Sequence, residues 1–308
     1  GYVSYGPKMS EWYLTPPGGY FNATNHWTDL LAIHEGRHMI QFEKISQLGF
    51  PKWMGWLFGD IGRGFFSAIT APNWFYEGDA VGMETVFDPS GRGHHPSFYR
   101  ELRALALSGQ FPEYHQAILG SRAKKLPNHY VIGYFFTSFI RQHYGVNIWN
   151  RVIESSTKRA YTPFSFADSI HKHTGKSLKT IYQEMKKGLI SRWKKAMIPF
   201  QMKASNFSPI FASQPSTWTN YFSPVFSTNQ AIISQKFGLN DSLSLVMIKQ
   251  DGKESRLLRF NPVGSGYNHL QLRRNKIVWS ESIPHPRWGK QQYADIRIYD
   301  LLSRRSRY

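Results

Sequence analysis

Leu30-Leu31-Ala32-Ile33-His34-Glu35-Gly36-Arg37-His38 decides the reading of this chain. An apolar run leads into two histidines four residues apart, with a glutamate directly after the first. On an α-helix, positions i and i+4 lie on one face about 6 Å apart, so two imidazoles there can converge on one ion. Glu35 follows the first ligand and can address a metal-bound water rather than the metal. The pattern is HExxH. Leu30, Leu31, Ala32 and Ile33 suggest a buried helix, where two histidines and a glutamate are costly without a partner.

Working outward, near-helical spacing predicts one long helix over residues 25–47 and another over 73–87, started by Pro72. Two histidines do not complete a catalytic zinc site, which needs a third protein ligand and an open fourth position. Trp74-Phe75-Tyr76-Glu77-Gly78-Asp79-Ala80-Val81-Gly82-Met83-Glu84 supplies the candidates. Glu77 is the expected third ligand. Glu84 lies two turns further along the same face and is expected to accept the free N–H of a ligand histidine, with Asp79 competing for that part.

The intervening residues 50–71 are rich in Trp, Phe and Gly, and are read as a loop packed over the core. The functional alternatives for that stretch are a substrate lid or a membrane-surface contact. Further helical patterns fall near 97–108, 129–144, 147–158 and 177–198. After Pro199 the texture turns to alternating strand patterns, so the expected domains are residues 1–200 and 201–308. The second region repeats weakly. Ile232-Ile233-Ser234-Gln235 resembles Val278-Trp279-Ser280-Glu281, and Ser244–Ile248 resembles Asp295–Tyr299, with the difference in spacing assigned to a longer loop around 284–292. Repeats of this length suit propeller blades of four strands.

Composition narrows the rest. The 308 residues include no cysteine, which excludes disulfides, thiolate zinc sites and a cysteine nucleophile. The formal charge is +18, which favours anionic partners, but no nucleic-acid-binding module is recognisable. Lys186, Lys187, Arg192, Lys194 and Lys195 read as a solvated helix face. No apolar stretch is long enough to span a bilayer. The chain starts at Gly1 and stops within the second repeat, so the expectation is a removed leader and a fragment.

HExxH followed by W-x-x-E-G-x-A-x-x-x-E resembles the gluzincin metallopeptidases, aminopeptidase N-type and peptidase MA-like enzymes above all. The resemblance covers roughly residues 10–195. It implies an α+β fold, a mostly helical thermolysin-like zincin domain, and a Zn2+ ion held by His34, His38 and Glu77, with Glu35 as general base. The family's downstream Tyr-x-x-Gly maps onto Tyr130-Val131-Ile132-Gly133, making Tyr130 the oxyanion donor, with Tyr134 as the fallback. The implied activity is hydrolysis of peptide bonds in a peptide or protein substrate. The Gly-x-Met-Glu-Asn strand of the aminopeptidases has no counterpart. Met9-Ser10-Glu11-Trp12-Tyr13 stands there with a single carboxylate, which favours an endopeptidase, and residues 12–15 are expected to form an edge strand for substrate. The tail resembles TolB-like blades, a partial all-β propeller, which implies a bacterial periplasm or cell envelope. The rival expectation is a catalytically inactive peptidase-like domain in a propeller-based binding or assembly protein.

Overall fold

The structure is a computed structural model that describes residues 2–5, 8–12, 27–121, 124–204, 210–211, 217–227, 230–260, 269–288 and 291–307. The expected edge strand at 12–15 lies almost wholly outside them. The chain divides into two compact units, one of Gly1–Ser121 and Leu126–Phe200, the other of Arg122–Lys125 and Gln201–Tyr308.

The first unit opens with an antiparallel hairpin, β1 (Tyr2–Tyr5) and β2 (Lys8–Glu11). Helices follow: α1 (Trp27–Ser46), α2 (Gly49–Thr70), α3 (Asn73–Phe87), α4 (Pro96–Leu107), α5 (Tyr114–Leu119), α6 (His129–Tyr144), α7 (Ile148–Lys158), α8 (Ser165–Thr174) and α9 (Leu178–Ala204). Local chemistry sets several of the limits. Pro72 precedes α3 in extended conformation, and the Asn128 side chain caps α6 by accepting from the Val131 amide at 3.3 Å. Trp74, Phe75, Phe136, Ile140, Trp149 and Tyr182 are fully or almost fully buried and tie α3, α6, α7 and α9 into one core.

The stretch 50–71 is not a loop. It is α2, helical on both sides of a kink at Gly59 (φ 60°, ψ −147°). Its glycines argue for a loop on propensity alone. Gly59 instead takes a backbone conformation that an L side chain rarely adopts, and the helix reverses there.

The second unit is all β. One antiparallel sheet runs β3 (Thr219–Phe226), β4 (Ile232–Gly238), β5 (Ser244–Ile248) and β6 (Glu254–Arg259) in sequence order. The other runs β7 (Gln271–Arg273), β8 (Lys276–Pro284), β9 (Gln292–Asp300) and β10 (Arg305–Arg307), also in order. Ile233, Leu245, Ile277, Trp279 and Tyr299 bury their side chains in a core common to both sheets. The weak repeat thus corresponds to two successive four-stranded meanders. The longer second copy is not a matter of its loop alone: β8 pairs with β9 over nine positions, whereas β4 pairs with β5 over five. The chain is therefore α+β, a helical part followed by antiparallel sheets.

Candidate metal centre

α1 buries a polar stripe. His34, Glu35, His38 and Gln41 are buried alongside Leu30 and Ile45, whereas Leu31 and Ile33 are only half-buried and Ala32 is exposed. Of the apolar run that suggests a buried helix, α1 thus turns only Leu30 fully inward. Burying two imidazoles, a carboxylate and an amide on one helix face is expensive unless each finds a partner.

The partners come from α3. Its Glu77 Oε2 lies 3.2 Å from His34 Nε2 and 3.3 Å from His38 Nε2, and the two Nε2 atoms are 3.1 Å apart. His34, His38 and Glu77 are the group among the described residues whose donor atoms converge closely enough to hold one metal ion. Three ligands on one face of a zinc tetrahedron, with bonds of about 2.0–2.1 Å, lie about 3.3 Å apart. The observed triangle has that size.

The outer ring nitrogens set the tautomers. His34 Nδ1 lies 2.5 Å from Glu84 Oε1, and an ionised carboxylate can only accept, so Nδ1 carries the proton. Arg92, on the turn Arg92–His94, donates to both Glu84 oxygens and holds that carboxylate in place. Its approach to His34 Nδ1 at 2.8 Å is therefore a close contact between two donors. His38 Nδ1 lies 2.9 Å from Gln41 Oε1, and the Gln41 amide nitrogen donates to Asp79 at 2.8 Å and to the Tyr76 carbonyl at 3.3 Å. Asp79 also accepts from Arg37 Nε at 2.7 Å and from Arg141. Of the two acids proposed for the histidine N–H, Glu84 takes His34 directly, while Asp79 reaches His38 only through Gln41. Both Nε2 lone pairs are left facing Glu77.

Electrostatics follow from this packing. Burial pushes the His34 imidazole down, but its hydrogen bonds to the Glu77 and Glu84 carboxylates outweigh it and leave it above its ordinary value. Burial raises Glu77, yet His34 and His38 together hold it well below the usual carboxylate range. Arg92 and His34 do the same for Glu84 against its own burial.

Glu35 is 3 % exposed, and its Oε2 is buried with no hydrogen-bond partner. An unsatisfied buried carboxylate oxygen on the residue that follows a metal-capable imidazole fits a bound water or ion that completes it. Tyr130, from α6, stacks on the His34 ring at 6.2 Å between centroids, with the Arg92 guanidinium 5.0 Å from its own ring centre. Burial first, then the charge of Glu77 and more weakly that of Glu35, pushes its phenol up to about 12. Tyr130 is thus a neutral donor at pH 7. Tyr134, one turn on, packs instead against Phe98 and Phe135.

Arg92 and Gln41 are the site residues that spacing did not single out. Gln41 had a signal, three residues after His38 on the same helix face. Arg92 had none, since it sits on a short turn beyond α3.

No protein-family model, curated protein or solved structure matches this chain.

Proposed function

We propose that this chain is a zinc-dependent peptidase of the gluzincin type, cleaving within peptides rather than at their amino termini. One observation carries the reading: three acceptor atoms, His34 Nε2, His38 Nε2 and Glu77 Oε2, face one another at 3.1–3.3 Å, and Glu35, the residue after His34, holds a buried oxygen without a partner. The donor set, two neutral imidazoles and a carboxylate, suits zinc and leaves a position open.

His34, His38 and Glu77 would hold the ion, which supplies Lewis acidity toward a peptide carbonyl and lowers the pKa of water. Glu35 takes the proton of the attacking water and returns it to the leaving amine. Tyr130, kept protonated, donates to the oxyanion. Glu84 and Gln41 hold the two imidazoles in their tautomers. The preference for internal bonds rests on the missing amine-binding strand: the nearest counterpart, Glu11 on β2, accepts from the Tyr2 hydroxyl at 2.9 Å. The two successive meanders support reading the second unit as TolB-like propeller blades.

Elemental analysis coupled to cleavage of an N-acetylated peptide library tests the proposal. One zinc per chain with cleavage inside the blocked peptides is the expected result. Zinc-free protein that cuts nothing after zinc is added would favour the rival, an inactive peptidase-like domain.

A further inference from the structure

α2 is turned inside out. Its buried positions are Pro51, Gly55, Gly62, Ser67 and Thr70, none of them large and apolar. Trp53, Trp56, Phe58, Ile61, Phe65 and Ile69 are each more than half exposed, Trp56 at 79 % and Ile61 at 77 %. A surface helix ordinarily faces its apolar stripe to the core. Here the small residues face the body and the large ones face away.

The kink explains the shape. Gly62 lies so near the Met54 carbonyl that an added Cβ would be 2.6 Å from it, whereas residues eight apart in a straight helix are about 12 Å apart. α2 is therefore two arms folded back at Gly59. Both ends are tied to α7: Gly49 packs on the backbone of Thr157 and Lys158, and the Ser156 hydroxyl donates to the Thr70 carbonyl at 2.9 Å. The apolar face continues past the helix, because Ile69 lines a shallow cavity of about 320 Å³ with Tyr161, Pro163 and Phe164, the last 82 % exposed. So many large apolar side chains exposed along one short helix are unusual on a free surface.

We propose that this face docks on an anionic lipid bilayer, with α2 lying along the boundary between headgroups and acyl chains. Each arm of about ten residues is about 15 Å long, half the hydrocarbon thickness, so the contact is interfacial. No helix among the described residues is long and apolar enough to cross a membrane. Exposed Trp and Phe suit that boundary. Charge selects the partner. The single acid of α2, Asp60, is paired with Arg63 at 3.2 Å, while Lys52 on the same helix, Lys158 beside its first residue and the following Arg159 add further basic groups. A second copy would bring the same basic groups to the contact, whereas anionic headgroups attract them.

The test is vesicle co-sedimentation of the full chain. Binding is expected with phosphatidylcholine vesicles containing phosphatidylglycerol, and weaker binding with phosphatidylcholine alone or with added salt. The double substitution Trp56→Asp, Ile61→Asp changes exposed side chains only. It should cut vesicle binding by more than about tenfold at unchanged thermal stability and zinc content. Three results overturn the proposal: no binding to anionic vesicles at low salt, equal binding by the double variant, or a dimer in sedimentation velocity that the double variant abolishes while vesicles are ignored. Each is independent of whether the chain cleaves peptides.

Discussion

Gly78 and Gly133 meet backbone to backbone where α3 crosses α6. A Cβ added to Gly78 would fall 2.1 Å from the Gly133 carbonyl carbon, and one added to Gly133 would fall 2.0 Å from the Trp74 carbonyl oxygen. The crossing sets Glu77, the residue before one glycine, and Tyr130, one turn before the other, around the same pair of imidazoles. The glycines of the Glu-Gly pair and of the Tyr-x-x-Gly segment thus have one physical cause, the close approach of two helices.

Gly133→Ala should therefore separate α3 from α6. Backbone cannot yield as a flexible side chain can, so a loss of about 1–3 kcal/mol is expected in urea unfolding, with weaker zinc binding. Gly36→Ala is the control. A Cβ there meets nothing within 4 Å, and the helix should gain about 0.4–1 kcal/mol. Equal stability of the two variants would contradict the packing argument.

Glu35→Gln should keep zinc and lose peptide cleavage by about 10²–10⁴-fold, the range of a general base. His38→Ala should lose both. Zinc content and turnover, measured on the same preparations, separate the two effects. Wild-type turnover in Glu35→Gln would remove Glu35 from the proposed mechanism.

Glu84→Ala and Gln41→Leu each take the acceptor from one imidazole N–H. A zinc dissociation constant raised by about 10–100-fold is expected for each, read by competition with a chromogenic chelator. Glu84→Ala should also destabilise the protein, because Arg92 is then buried without its carboxylate.

Proton and cation compete for the Nε2 lone pair of His34, so zinc affinity should rise with pH through and above the ordinary histidine value of 6.5, since the folded value lies higher. The zinc-free chain behaves differently. His34, raised on folding, contributes stability that is complete below 6.5 and is lost as pH rises through its folded value. Glu77, depressed on folding, contributes stability that is complete above 4.5 and is lost as pH falls toward its folded value. The pair therefore contributes most between pH 4.5 and 6.5. Thermal melts of metal-free wild type and Glu77→Gln across pH 4 to 8 should differ most in that window. A difference independent of pH would show that the two groups are not coupled.

Local periodicity made much of this molecule legible. The spacing of His34 and His38 puts both rings on one helix face whatever the rest of the chain does, and the helical patterns at 73–87 and 129–144 coincide with α3 and α6. Glycine-rich α2 was misread because five glycines in 22 residues argue against a helix on propensity. Tertiary contact overrides that weak preference, since small residues are what let two arms fold together and lie against α7.

Sequence alone thus determined which side chains α1 presents and at what separation, because helix geometry is set within a few residues. Only the tertiary structure decided that Glu77 closes the triangle, that Arg92 locks Glu84 and that Asp79 acts through Gln41. The first and last of those contacts join residues 43 and 38 positions apart and depend on where helices cross, and Arg92 reaches Glu84, eight positions before it, only through the turn after α3; no helical spacing encodes either.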